Sequence, residues 1–228
     1  MSIADNLKHI NENIARAAQK ASRKAEDITL IAVTKTVDGQ FLQDNMQTLL
    51  THGVTNLGEN RAQELTEKRP LLGDAVKWHM IGHLQRNKVR NVVGNVVLIH
   101  SVDSVKLAEE ISRIALRENV VADVLIEVNI ADEGSKHGIA PEAAMALARE
   151  ITSLPNIAIK GLMTIAPFVD DGEENRGHFR KMAELFSDLK IAGFDMEFLS
   201  MGMTIDYEVA IEEGANMVRI GTAIFGER

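Results

Sequence analysis

Eight short runs rich in Val, Ile and Leu recur along the chain, near 28–35, 54–58, 77–82, 96–102, 122–130, 157–166, 196–201 and 216–225. Segments with helical spacing separate most of them. No other feature constrains the fold as much. Strands that alternate with helices pair in parallel, because each crossover returns the chain to the same end of the sheet. One such helix is visible in Val105-Lys106-Leu107-Ala108-Glu109-Glu110-Ile111, which continues through Ile114 and Leu116. Gly53, Gly193 and Gly214 stand where helices end, and Pro141 stands where one begins. Ahead of the first strand, Ser2 and Asp5 have capping-box spacing, and Ile3, Leu7, Ile10 and Ile14 follow at helical intervals.

Two architectures accommodate this alternation. A doubly wound nucleotide-binding sheet carries a G-x-G-x-x-G turn after its first strand. Here that strand is followed by Lys-Thr-Val-Asp-Gly. Eight strands in 228 residues instead suit a single (β/α)8 TIM-type barrel, with the additional N-terminal helix covering the place of a final one. The four prolines are scattered and no Gly/Ser-rich linker occurs, so the expectation is one domain over residues 1–228.

Composition narrows the function. A net charge of −8 argues against nucleic acid or an anionic membrane as the main partner. The absence of cysteine removes disulfides, thiolate nucleophiles and zinc–thiolate sites together. The amphipathic N-terminus lacks the apolar core of a secretion signal, and no run of eighteen or so apolar residues occurs, so a cytoplasmic location is expected.

In a barrel of this kind the active site lies at the C-terminal ends of the strands, and phosphates often bind after strands seven and eight. Lys35 ends the first apolar run, Leu30-Ile31-Ala32-Val33-Thr34-Lys35. It reads either as a strand-end lysine snorkelling to water or as a desolvated amine able to form a Schiff base. The seventh run ends in Leu199-Ser200-Met201-Gly202-Met203-Thr204 and the eighth in Arg219-Ile220-Gly221-Thr222. Small residues and hydroxyls there suit an anion, although glycines also serve tight turns. Arg219, inside an apolar run, needs either an ion-pair partner or a ligand atom. His79 and His83 share parity on the third run, but two histidines without a matching carboxylate are thin support for a metal. Asn56 is placed with Lys35 as a ligand contact, Asn60 reads as a helix N-cap, and the charged turn Asp132-Glu133-Gly134-Ser135-Lys136-His137-Gly138 falls on the functional rim.

Taken together and in order, AVTKT, LGENRAQE, WHMIGHLQRNK, NIADEGSKHGI, GLMTIAP and LSMGMTIDYEVAIEEGANMVRIGTAIFG resemble the pyridoxal phosphate homeostasis proteins. These are single-domain relatives of the alanine racemase N-terminal barrel, and the likeness runs from about residue 28 to the C-terminus. The resemblance implies that Lys35 holds pyridoxal 5′-phosphate (PLP) as a Schiff base. It further implies that Ser200, Gly202, Gly221 and Thr222 surround the phosphate, that Arg219 faces the pyridine nitrogen, and that Asn56 and Met163 line the ring. The departures are Thr204 in place of a serine, Ile205 in place of a more polar residue, and Val37-Asp38 in place of Lys-Pro.

An arginine at the pyridine nitrogen makes the ring a poor electron sink. Racemisation also needs acid–base groups on both faces of the bound amino acid. The resembling two-domain racemases draw the second group, a tyrosine, from a domain not expected here, and the only tyrosine is Tyr207. The expected function is therefore PLP storage, buffering or delivery to PLP-requiring apo-enzymes by a monomer. The alternatives are a PLP-dependent amino-acid racemase or related enzyme, and a Schiff-base aldolase without PLP.

Overall fold

The computed structural model describes residues 2–131 and 137–226. All eight expected strands are present: β1 (Thr29–Val33), β2 (Asn56–Glu59), β3 (Lys77–Met80), β4 (Leu98–Val102), β5 (Ala122–Glu127), β6 (Ile157–Met163), β7 (Phe198–Ser200) and β8 (Met217–Ile220). They form one closed parallel barrel in sequence order, with β8 pairing back to β1. The helices are α1 (Ile3–Lys20), α2 (Gly39–Thr51), α3 (Ala62–Leu72), α4 (Val105–Glu118), α5 (Ala144–Thr152), α6 (Arg176–Ile191), α7 (Tyr207–Glu212) and α8 (Thr222–Phe225).

Strand alternation divides the side chains into two cores. Ile31, Leu98, Leu125, Met163 and Met217, with Phe198 against them, fill the inside of the barrel. The residues between them on the strands, such as Ala32, Leu57, Ile99, Leu162 and Val218, face the helices and join the larger outer core. Burial on both faces is why these runs are apolar throughout rather than alternating.

The N-terminal helix does what its position predicts. The Ser2–Asp5 capping box forms, with Asp5 N–H donating to Ser2 Oγ (3.2 Å) and Ser2 N–H to Asp5 Oδ2 (3.1 Å). α1 then packs on α7, α8 and α2. Because α8 is a single turn, α1 covers the seam between β8 and β1. Asn6 Nδ2 donates to the Ile224 carbonyl (2.9 Å) and Asn13 Nδ2 to the Tyr207 hydroxyl (2.9 Å) across that contact.

Three expectations are corrected. β1 stops at Val33, so Lys35 lies two residues beyond the strand in a turn. β8 stops at Ile220, and 222–225 coil into α8 instead of extending it. The crossover from β3 to β4 is a 3-10 turn over Arg86–Asn91 rather than an α-helix. Each reflects the chain's need to turn at the barrel rim, where an apolar run can line a loop as well as a strand.

Candidate active site at the barrel mouth

The turn that carries Lys35 is clamped from behind. Lys68, on α3 and buried, donates through Nζ to the Thr34 carbonyl (2.8 Å), Glu59 Oε1 (2.8 Å) and Glu64 Oε2 (2.9 Å). Thr34 Oγ1 donates to Glu59 Oε1 (2.6 Å), and Thr36 N–H donates to Glu64 Oε2 (2.8 Å). Burial pushes the Glu59 carboxyl up, against the opposing hydrogen bonds from Lys68 and Thr34. Thr36 is held at φ +62°, a conformation that costs a β-branched residue roughly 1–3 kcal/mol. The residues on both sides of Lys35 are thus fixed, while Lys35 itself is exposed. Of the two readings the sequence left open for Lys35, its exposure fits the lysine that reaches water, here from a strained turn rather than a strand end.

Lys35 lines a cavity of about 340 Å³ together with Arg219, Met203, Thr204, Gly221 and Thr222. An adjoining cavity of about 470 Å³ shares Lys35, Met203, Thr204 and Thr222 and adds an apolar side from Phe168 and Ile205. Both fall within the size range of small-molecule sites, roughly 300–1,000 Å³. A Cβ at Gly221 would come 3.3 Å from both the backbone oxygen and the Cβ of Val33 on β1, a tight fit that keeps β8 and β1 close at the mouth. The loop after β7 is anchored by Asp206, whose Oδ1 accepts from Met203 N–H (2.7 Å) and whose Oδ2 accepts from Asn175 Nδ2 (2.8 Å).

Arg219 reaches the cavity from inside the barrel. Its Nη1 donates to Ser200 Oγ (2.6 Å) and its Nη2 to the Thr164 carbonyl (2.8 Å). Burial pulls its pKa down to about 10, with Glu127 and Asp206 opposing, which leaves it cationic at neutral pH. Behind it a file of polar groups crosses the barrel. Ser200 Oγ lies 3.0 Å from His100 Nδ1, His100 Nε2 lies 3.1 Å from His79 Nδ1, and His79 Nε2 lies 3.0 Å from Asn56 Oδ1. Burial first, then the Lys77 charge, lowers the His79 pKa to about 4. Burial, then His79 and Arg219, holds His100 well below the ordinary histidine value. Both rings are therefore neutral at pH 7.

The sequence-predicted residues thus divide. Lys35, Arg219, Gly221 and Thr222 meet at the mouth. Ser200 lies beneath it, fully buried between Arg219 and His100. Gly202 has φ +93°, and a Cβ there would strike Ala210 Cβ at 2.6 Å, so glycine lets α7 approach the loop. Met163 belongs to the inner apolar plug. Asn56 begins β2 in register with Ile31, is absent from the lining of the Lys35 cavity, and reaches it through the polar file, with its Oδ1 3.0 Å from His79 Nε2. His79 points into the barrel, whereas His83 lies beyond β3 on the rim. Lys136 lies outside the described residues. Tyr207 is buried in the α1–α7 contact.

Sequence reasoning missed the Asp206 anchor and the Lys68 clamp; Met203 and Thr204 stood in the anion-suited run after the seventh strand but were not named as ligand contacts. Glu64 and Lys68 have the i,i+4 spacing of an ordinary surface pair, and only Glu59, five residues ahead of Glu64 on a buried strand, hints at more.

Comparison with known proteins places these features in context. The family model described as "Alanine racemase, N-terminal domain" matches residues 6–228. A pyridoxal phosphate homeostasis protein of Aquifex aeolicus is 43% identical over 230 residues, covering 100% of this chain and 99% of its own. An Escherichia coli protein of the same name is 36% identical, covering 99% and 97%. Among solved structures, PipY of Synechococcus elongatus with PLP bound superposes with a TM-score of 0.83 at 30% identity, covering 99% of this chain and all of PipY.

Proposed function

The chain belongs to the pyridoxal phosphate homeostasis proteins, within the alanine racemase N-terminal-domain family, and from that premise we propose that it holds PLP as a Schiff base on Lys35 and buffers the cofactor in vitamin B6 homeostasis. The observation that carries this reading is the convergence of Lys35, Arg219, Thr204 and Thr222 on one cavity. The donor set fits the group. Thr204 and Thr222, which line the cavity with Lys35, offer hydroxyls to a phosphate. When bound, PLP supplies an aldehyde for the lysine amine and a ring able to withdraw electrons.

The chain's own residues decide how much chemistry follows. Lys35 is presented on a turn whose backbone Lys68, Glu59 and Glu64 hold from behind, so only its side chain has to be ordered on binding. Arg219 keeps a fixed positive charge where the ring nitrogen is proposed to lie. That charge opposes protonation of the nitrogen and weakens the ring as an electron sink. Tyr207 is occupied by Asn13 on the outer face of the barrel and offers no acid or base at the mouth. The site therefore favours retention over turnover.

The same proposal includes release to PLP-requiring apo-enzymes through transient contacts, by a single-domain cytoplasmic monomer. Consistent with a non-membrane role, no helix among the described residues is long and apolar enough to cross a membrane.

Purified protein loaded with PLP is expected to show a visible chromophore that borohydride fixes onto the peptide containing Lys35. Lys35→Ala is expected to lose it, and pure protein to leave D- and L-amino acids unchanged. Robust turnover of any of them overturns the buffering role; a colourless wild type after PLP addition overturns the cofactor assignment. The second reading, a racemase-like enzyme, is favoured by Glu127, a buried carboxyl at the end of β5 whose pKa burial raises to about 7. Lys35-dependent deuterium exchange at an amino-acid Cα would support that reading.

A further inference from the structure

His83 was weak as a metal ligand in the sequence because no carboxylate accompanied it. The fold supplies one. His83 follows β3, Asp103 follows β4, and His137 lies on the loop after β5, so three consecutive strands deliver three donor groups to one point on the rim. His83 Nδ1 lies 3.6 Å from Asp103 Oδ2, and the His83 and His137 rings stack with centroids 3.9 Å apart and planes 11° from parallel. One ligand atom from each residue falls within 4.8 Å of the other two.

We propose that His83, Asp103 and His137 bind a divalent transition-metal ion of the zinc, cobalt or nickel class, across the barrel mouth from Lys35. Two imidazoles and one carboxylate are a donor set for borderline ions, and a fourth position open to water completes a tetrahedron. Magnesium and calcium prefer more oxygen donors than a single carboxylate provides. Tetrahedral ligands about 2.0–2.2 Å from zinc stand roughly 3.4 Å from one another, so the cluster, with atoms within 4.8 Å of each other, has to close by at most about 1.4 Å. His137 is exposed, and rotation of its ring opens the stacked pair into a chelate. His79 and His100 do not compete, because they are buried and bonded to each other.

The test uses the full chain without an affinity tag, stripped of metal and free of PLP, titrated with CoCl2 while the visible d–d absorption is followed. One-to-one saturation is expected, with displacement by ZnCl2 and not by MgCl2. His83→Ala and His137→Ala are each expected to weaken binding by about tenfold or more, on the scale at which even supporting groups around a metal matter. Both side chains are on the surface, so thermal unfolding of these variants should match the wild type. Absence of a saturable signal overturns the proposal, as does binding that persists at full strength in both variants, which would assign the ion to one of the chain's other histidines.

Discussion

Lys68→Met removes the cation that holds the buried side of the Lys35 turn, and its cost can be worked from the geometry. Lys68 is 5% exposed and Glu59 fully buried, so the variant strands a carboxylate in the core. Breaking a buried pair in this way costs about 3–5 kcal/mol. Glu59 has an escape, however: it can take up a proton. For a carboxyl with an ordinary value of 4.5, folding in the protonated form costs about 3 kcal/mol at pH 7 and under about 1 kcal/mol at pH 5, at about 1.36 kcal/mol per pH unit. The Thr34 carbonyl retains Val37 N–H (3.0 Å) as a donor, so losing Lys68 there adds only about 1 kcal/mol. The total is about 4 kcal/mol at pH 7 and about 2 at pH 5. Urea denaturation of wild type and variant at the two pH values measures both. Lys68→Met with Glu59→Gln removes the stranded charge and should recover most of the loss. A penalty below about 1 kcal/mol at pH 7, or one that does not change with pH, refutes the reasoning.

Acid should destabilise the protein through its internal histidines. The His79 pKa is depressed in the folded state, so the unfolded chain binds more protons as pH falls from 6.5 toward about 4. Stability is complete above that interval and declines through it, by about 3 kcal/mol for His79 alone, and His79→Gln should flatten this limb in pH-dependent denaturation. Gly202→Ala combines a left-handed φ with a clash against α7, and should cost about 2 kcal/mol or more in thermal or urea unfolding. Recovery of wild-type stability in that variant would mean that α7 can move aside freely.

The barrel was legible because strands buried on both faces leave uninterrupted apolar runs, and because crossovers impose regular spacing. The N-terminal helix was legible in its cap, Ser2 with Asp5. Boundaries were less so: Val37 and Ile224 are as apolar as strand residues, yet they pack from turns. Within the site, Lys35 and Arg219 stood out as charged residues in apolar runs. The depth of Ser200 and Asn56 inside the barrel was not legible, since how far along a strand a residue stands depends on where pairing starts, and that is set by neighbouring strands. The meeting of Lys68 with Thr34, and of His100 with His79 and Ser200, joins residues 21 to 100 positions apart. Periodicity within a segment carries no trace of such contacts.

The polar file inside the barrel has a direction. Arg219 has hydrogens and no lone pair to offer, so Ser200 must accept from it, and the serine hydrogen is then available to His100 Nδ1. With the Asn56 amide oxygen turned to His79, the remaining links point the same way: His100 Nε2–H to His79 Nδ1, and His79 Nε2–H to Asn56. Each group gives one hydrogen onward and receives one from the Arg219 side. A proton arriving from the Asn56 end meets only hydrogens, and it can advance only if every link turns over in concert. The cationic floor of the mouth is thus linked through the file to Asn56 for polarisation and closed to it for proton traffic.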